Sequence, residues 1–398
     1  MKKKLMILGA SILQLPAIEQ AIEMGLQVVA VDMNPDAVGF AVPGVIREVI
    51  STIDIPAVVE AAKRHKIDAV MTLATDMPMR TVAAVAKELG LVGITAETAV
   101  KATNKAEMRS ALQKAGVPIP KFFKVSNESE YQAAVAQFAV PFVVKPADSS
   151  GSRGIYLVKD AADAADVARA YRHSRPYSRS GDVVVEEYMS GPEVSVETLT
   201  VNGICNVIQI TDKITTGAPH FVEMGHTQPS RLSDETKEQI AQVAKAANRA
   251  VGIDNGPSHT EIIVTAEGPK IVELGARLGG DCITTHLVPL STGVNMVRCC
   301  IQIALGEEPN VMPEYQKVSA IRYFPQHAGT VKEIKGLELA RRIDGVKQIS
   351  IVHGVGQTIS DITSSSDRMG FVIVQTDSFE DAAAVFSKTK ETISVEIV

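Results

Sequence analysis

Glu261-Ile-Ile-Val-Thr-Ala-Glu-Gly-Pro-Lys-Ile-Val-Glu273 reads as two apolar-rich strands meeting at a tight turn, with an acid at either end. If Thr265 faces Pro269 across an Ala266-Glu267-Gly268 turn, with Gly268 in the left-handed position, the register sets Glu261 directly opposite Glu273. Their Cβ atoms then lie about 5 Å apart on one face. Like charges so placed repel, so the pair calls for a hard, oxygen-seeking cation such as Mg²⁺, completed by water and phosphate oxygens. A two-residue turn would slip the register by one and send the acids to opposite faces, and Pro269 cannot donate the bond that closes a turn. The segment would then be a solvated surface hairpin.

The neighbouring sequence favours the cation. Arg277 follows in Glu273-Leu-Gly-Ala-Arg-Leu-Gly-Gly-Asp281, where Gly275, Gly279 and Gly280 let the backbone approach a ligand without Cβ interference. Cation, guanidinium and open backbone together describe a phosphate site. Upstream, Val140-Pro-Phe-Val-Val-Lys145 reads as a buried strand ending in a lysine. Asp148-Ser-Ser-Gly-Ser-Arg-Gly154 comes next, before the apolar Ile155 to Val158. A strand, a lysine, a Gly/Ser loop and a second strand can hold a polyphosphate through backbone N–H groups and one point charge. The same arrangement also serves as a plain hairpin connection, and it is not a Walker loop, which needs Gly-Lys-Ser/Thr opening a helix. Asp182-Val-Val-Val-Glu-Glu-Tyr-Met189 then reads as a strand running into a polar hinge, and Gly191-Pro-Glu-Val-Ser-Val-Glu197 as an alternating strand. Such a hinge can offer backbone groups to a purine, and Glu193 can accept from a ribose diol. The plainer reading is a strand with acids along its border.

Taken in order, the lysine, Gly/Ser loop, acidic hinge, strand acid, paired acids and arginine resemble the ATP-grasp superfamily of carboxylate ligases, and the likeness runs along nearly the whole chain. The branch it resembles holds formate-dependent glycinamide ribonucleotide formyltransferase, biotin carboxylase, the carbamoyl phosphate synthetase halves and the bacilysin-type amino acid ligases. The resemblance implies an α/β chain of three parts. These are a Rossmann-like unit over residues 1–102, an ATP-grasp unit over 103–313 with a small lobe at about 121–188, and a small mixed α+β, strand-rich unit over 314–398. It implies that Lys105, in Thr-Asn-Lys-Ala-Glu-Met-Arg, and Lys145 contact ATP phosphates, with Lys145 and Arg277 as the catalytic cations. Ser149, Ser150, Gly151, Ser152, Arg153, Gly154 and Ile155 would form a flap over the phosphates. Glu186, Glu187, Tyr188 and Met189 would hold adenine, and Glu193 the ribose. Glu261 and Glu273 would bind Mg²⁺, with Mn²⁺ as an alternative ion, and Arg277 would steady the transferring phosphate or acyl phosphate. One departure stands out. Many relatives read Glu-x-Asn-x-Arg where this chain has Gly275 in the Asn place, so a ligand is lost there.

The implied reaction activates a substrate carboxylate as an acyl phosphate and captures it with an amine, releasing ADP and phosphate without a protein nucleophile. Alternatives on the same architecture are a formate-dependent or other purine-pathway ribonucleotide ligase or formyltransferase, a biotin-carboxylase-like enzyme, and a nucleotide-binding subunit that never turns over. The chain has no Met-Lys-Met biotinyl site of its own.

Composition agrees with small-molecule chemistry. At 398 residues the chain is too long for one core, and a prior of about 150 residues per domain gives two or three. A formal net charge of -6 points away from nucleic acid and membrane surfaces. The expected partners are a small carboxylate and an amine, with a homodimer as in many members of the family. Cys205, Cys282, Cys299 and Cys300 form no CxxC pair and read as thiols of a reducing, cytoplasmic compartment. The basic start, Met1-Lys-Lys-Lys, could imitate a signal peptide but flows straight into a βαβ pattern, and no stretch is long and apolar enough to span a bilayer.

The first hundred residues alternate strand and helix: Leu5 to Leu8, a helix from about Leu13, Val28 to Val31, a helix near Ile55 to His65, and Ala69 to Leu73. Gly9, Ser11 and Gln14 stand where a dinucleotide loop carries its glycines, with Asp32 closing the second strand, but the fingerprint is incomplete. By the resemblance, Gly9, Ser11 and Gln14 are weak substrate-binding candidates. A helical stretch is expected from Ala96 to Ala115. Lys213, Glu223 and His226 are candidates for the acceptor pocket, His259 for support of the cation site two residues from Glu261, His286 beside the Gly-rich segment, and Arg368 for substrate contact.

Overall fold

Four short strands near the N-terminus line up in parallel in the computed structural model, in the order Ile46–Val49, Gln27–Asp32, Lys4–Leu8, Ala69–Met71. Residues 2–139, 141–149, 151 and 153–398 are described. Val140 of the lysine strand and Ser150 and Ser152 of its loop therefore lie outside the described residues. A parallel sheet covered on both faces needs apolar side chains at successive positions. Leu5 and Ile7 pack with Val28 and Ala30 under the helix Leu15–Glu23, while Met6 and Leu8 pack with Val29 and Val31 under the helices Ile55–His65 and Met79–Leu89. The strand Ile46–Val49 was not legible, because its Arg47 and Glu48 interrupt the apolar run of an outermost strand.

The helical stretch expected from Ala96 to Ala115 is two helices, Ala96–Lys101 and Lys105–Lys114. Asn104 divides it. Its side-chain oxygen accepts from the N–H groups of Ala106 and Glu107, which starts a new helix at Lys105. The Lys105 N–H in turn donates to the Ala147 carbonyl at 2.7 Å, docking this helix on the small lobe. That lobe is a four-stranded antiparallel sheet in the order Phe122–Val125, Val183–Glu187, Phe142–Pro146, Tyr156–Val158. The helices Glu128–Val135 and Ala164–Ser174 cover one face, with Tyr131 and Tyr171 stacked 4.8 Å apart in its core.

The largest sheet has eight strands, each antiparallel to its neighbours, in the order Gly268–Gly275, Gly256–Thr265, Glu193–Val201, Ile204–Thr215, Glu223–Gln228, Val318–Tyr323, Gly370–Thr376, Val346–Ile351. Three strands from beyond residue 313 thus continue the sheet begun before it, and a three-stranded sheet of Thr358–Ile359, Gly329–Lys335 and Ser394–Ile397 lies beside them. Period-two alternation divides the large sheet. Val194, Val196, Ile262, Ile271 and Leu274 pack with Ile240, Ala244 and Val251 of the helix Asp234–Val251. The opposite side carries Ser195, Glu197, Thr211, His226, Gln228 and His259, all buried and all polar. No single helix among the described residues is long and apolar enough to cross a membrane.

The hairpin's turn is not the expected one. Thr265 pairs with Gly268 across a two-residue loop, and Pro269 faces Val264. This is the slip that should separate the acids, yet Glu261 still pairs with Glu273, because the register shifts between Ile262 and Glu261 and Val272 is left as an extra residue. A bulge of this kind restores the face that the short turn would have lost. Arg109, on the helix Lys105–Lys114, fixes it: Nη2 donates to the Val272 carbonyl and Nε to Glu186 Oε1, both at 2.7 Å. Lys145 Nζ reaches Glu186 Oε2 at 2.9 Å. Arg109 and Glu186 are each only 1% exposed.

Burial pushes the Glu186 carboxyl up, and the charges of Arg109 and Lys145 more than reverse this, holding it at about 2. Such a lowered carboxylate contributes stability that is complete above its ordinary value of 4.5 and lost as pH falls through about 2. Arg109→Met should cost about 3–5 kcal/mol at neutral pH by leaving half of a buried ion network unpaired. It should also move acid unfolding upward toward 4.5, followed by circular dichroism because the chain has no tryptophan. At the hinge, Gly191 has φ 146°, and a Cβ there would run into the Val264 carbonyl oxygen. Gly191→Ala should therefore lower stability by about 3 kcal/mol in urea unfolding.

Candidate active site

A cavity of about 350 Å³ lies over the polar side of the large sheet. Loops at the C-terminal ends of the parallel strands Lys4–Leu8 and Ala69–Met71 bring Leu13, Ala74 and Asp76 to it. The crevice beside the ends of such strands is where open parallel sheets meet ligands. Lys145, Ser149, Gly151, Arg153 and Ile155 enter from the small lobe, Glu261 and Glu273 from the hairpin, and Arg277 from just beyond its second strand. Lys105 lines the cavity too, with Nζ 2.5 Å from the Ser149 carbonyl and 3.1 Å from Glu273 Oε1.

Other expected site residues stand apart from this lining. Glu186 is sealed beneath Lys145 and Arg109, with its backbone paired to Phe122 on one side and Val143 on the other, so it holds Lys145 from below. Glu187 and Tyr188 donate their N–H groups to the carbonyls of Lys121 and Pro141, and Met189 is buried. Glu193 reaches the cavity through Lys213 Nζ, at 2.5 Å. Gly154 lies behind the loop, packed against Tyr177 and Pro146.

Glu261 and Glu273 face the cavity side by side. Oε1 of Glu261 meets Lys213 at 2.9 Å and Oε1 of Glu273 meets Lys105, while Oε2 of each accepts no hydrogen bond among the described residues. Lys213 sits among three acids, Glu193, Glu261 and Glu223, the last at 3.6 Å. Burial pulls its ammonium down, and the three charges raise it well above its usual range. Burial likewise pushes Glu261 up, and Lys213 and His259 hold it well below the usual carboxylate range. Among the described residues no three of His, Cys, Asp and Glu gather closely enough to cage a metal unaided. Two carboxylates that leave further positions to water and phosphate are how Mg²⁺ is held beside nucleotides, so Glu261 and Glu273 fit that ion.

His259 Nδ1 lies 2.6 Å from Glu197 Oε1 and Nε2 lies 3.6 Å from Glu261. Burial draws the imidazole down, and Glu197 and Glu261 outweigh it, raising His259 to about 9, so it is charged at neutral pH. At the far end, Asp281 receives two bonds from Arg368, at 2.7 and 2.8 Å, and lies 3.3 Å from His226 Nε2. Arg368 also donates to the Glu223 and Ser365 carbonyls and stacks over the Tyr323 ring, 3.7 Å from its centre. Lys213, Glu223 and His226 thus meet at one wall of the cavity, and Arg368 reaches them from the last part of the chain. His286 bonds Thr285 and does not line the cavity. Gly9, Ser11 and Gln14 do not line it either: Ser11 donates to the buried Gln14 side chain, which donates to the Leu73 carbonyl, while Asp32 accepts from the Ala10 N–H.

Three participants were missed. Glu197 had a signal, since its strand alternation puts it on the face of Glu193, opposite His259. Arg109 had none, being one cation on a short polar helix. Asp76, which grips Arg277 through Nε at 2.9 Å and Nη2 at 3.2 Å, could be suspected only from its place after a parallel strand.

The chain is similar to known proteins. Residues 138–285 match the ATP-grasp domain family and residues 322–398 the L-amino acid ligase C-terminal domain 2 family. An uncharacterized protein of Sinorhizobium fredii is 30% identical over 329 residues, 82% of this chain and 68% of that one. The alanine–anticapsin ligase of Bacillus subtilis is 28% identical over 299 residues, 68% of this chain and 62% of that one. The chain thus spans about two thirds of these relatives' length. The solved L-amino acid ligase of Bacillus licheniformis superposes with a TM-score of 0.87 at 26% identity, over 100% of this chain and 99% of that one. With the lysines, the paired acids and the arginine gathered at one cavity, the chain belongs to the ATP-grasp superfamily of ATP-dependent carboxylate–amine ligases.

Proposed function

We propose that the protein joins two amino acids, or an amino acid and a closely related amine, through an acyl phosphate. The observation that carries this is the continuity of one cavity from the phosphate-handling end, at Lys105, Lys145, Glu261, Glu273 and Arg277, to Glu223, His226 and Asp281. Arg368 secures that second end from within the segment that resembles amino acid ligases. ATP would lie with its phosphates between Lys105, Lys145 and the Ser149 to Ile155 loop, its ribose near Glu193 and its base at the Glu187 to Met189 hinge. Mg²⁺ held by Glu261 and Glu273 would neutralise phosphate charge.

A carboxylate oxygen attacks the γ-phosphorus as the bond to the β-phosphate oxygen breaks and ADP departs. The amine then attacks the acyl carbon, phosphate leaves and the amine gives up a proton. Positioning and charge neutralisation do most of this work, and no side chain need form a covalent bond. Arg277 would oppose charge building on the transferred group, and the loop over the phosphates would keep water from the acyl phosphate. A purine-ribonucleotide reading is weaker, because the arginine that could meet a ribose phosphate, Arg368, is committed to Asp281. The reading divides the chain near residues 102 and 313, with action in the cytoplasm supported by four free cysteines.

The test is Mg²⁺-dependent phosphate release from ATP against single amino acids, amino acid pairs, glycinamide ribonucleotide with formate, and bicarbonate. Stimulation by an amino acid pair with formation of their amide is expected, and stimulation by another mixture alone would replace the reading. Glu273→Ala should cut phosphate release at least about 100-fold while circular dichroism stays that of the parent. Near-normal turnover would remove Glu273 from the metal site.

A further inference from the structure

Residue 275 belongs to the cavity side of the large sheet, two places beyond Glu273 and paired with His259. Gly275 sends no side chain there, and the place is taken. A Cβ on it would sit 2.9 Å from Asp76 Oδ1 and 3.2 Å from Arg277 Nε. Asp76 arrives from the loop between the strand Ala69–Met71 and the helix Met79–Leu89, in the N-terminal part of the chain. It receives Nε and Nη2 of Arg277 as a fork, and both side chains are 15% exposed. The carboxylate stands where the main cavity meets a second one of about 270 Å³, which shares Lys105, Ser149 and Glu273 with it.

We propose that Asp76 is the positioning residue of Arg277, and that Gly275 leaves the room for its carboxylate, which a side chain at 275 would crowd. The proposal rests on the reading of Arg277 as the group that meets the transferring phosphoryl. A two-bond carboxylate grip fixes the plane of a guanidinium as well as its place, which a single hydrogen bond does not. Arg277 also feels the charges of Glu273 and Glu261. Without Asp76 it would turn toward those acids, pairing with the carboxylates that a metal needs. Since Asp76 and Arg277 lie 201 positions apart, the arginine is aimed only when the N-terminal sheet is docked on the large one.

The experiment compares Asp76→Asn, Asp76→Ala, Asp76→Glu, Gly275→Asn, the double variant Asp76→Ala with Gly275→Asn, and Arg277→Ala. Each is assayed for phosphate release with ATP and the amino acid pair that stimulates the parent best, and for binding of a fluorescent ATP analogue. Asp76→Asn and Gly275→Asn should each lower kcat about 100-fold, with KM for ATP and analogue binding within about threefold of the parent. Asp76→Glu should recover part of the loss. The double variant should be no slower than the worse single, since both changes remove one contact. Asp76→Asn within about twofold of the parent, beside an inactive Arg277→Ala, would overturn the pairing alone. Losses that multiply in the double variant would do the same. Full turnover in Arg277→Ala would overturn the role of Arg277 and this inference with it.

Discussion

The buried contact among Arg109, Glu186 and Lys145 is the constraint on which the lysine end of the cavity depends. A carboxylate sealed from water is tolerated only when cations and hydrogen bonds compensate it, and here one guanidinium and one ammonium do so. The guanidinium has a second task, since its Nη2 holds the carbonyl of the residue that bulges out of the hairpin. One side chain therefore ties the small lobe's lysine to the register of the large sheet's acids. The cations and the anions of the site are placed by a common anchor rather than by two independent ones.

Above that anchor the sheet's polar side works as an array of paired charges. Lys213 balances acids on three strands, His259 bridges Glu197 and Glu261, and Asp281 is locked by Arg368. Such an array suits a reaction whose substrates are charged at both ends and whose transition state is a spread of negative charge, because preformed dipoles and ions need no reorganisation as the charge moves. Much of the cavity wall is therefore already oriented before a ligand arrives. Beside this wall, the Ser149 carbonyl accepts from Lys105 and the Asp148 carboxylate accepts from Ser178, Arg179 and Ser180.

How much could be read in advance depends on the physics of each element. Glu261 and Glu273 were legible because period two fixes the side of a strand residue, whereas Lys145 entered at the phosphates through the family resemblance and Lys213 only as a candidate for the acceptor pocket. The pairing of Glu261 with Glu273 was read correctly for the wrong reason: a two-residue turn and a bulge cancel, and neither is visible without knowing that Arg109 waits to bond the bulged carbonyl. Glu186 looked like a ligand residue because acidity at a hinge says nothing about burial. Asp76 and Arg109 were silent because their meaning comes from partners far away in the chain, Arg277 and Glu186, and a single sequence carries no record of such meetings.

The continuation of the large sheet past residue 313 bears on how this protein could be taken apart. Glu223–Gln228 is paired on both sides, by Ile204–Thr215 and by Val318–Tyr323. A chain ending before Val318 would bare a row of unmatched N–H and C=O groups along that strand, a template for self-association. The last segment is therefore a lateral cover for the large sheet as well as the source of Arg368. Chimeras that exchange it to alter substrate choice must preserve the ladder from Gly225–Arg322 to Gln228–Ser319, or solubility will be lost before specificity can be measured.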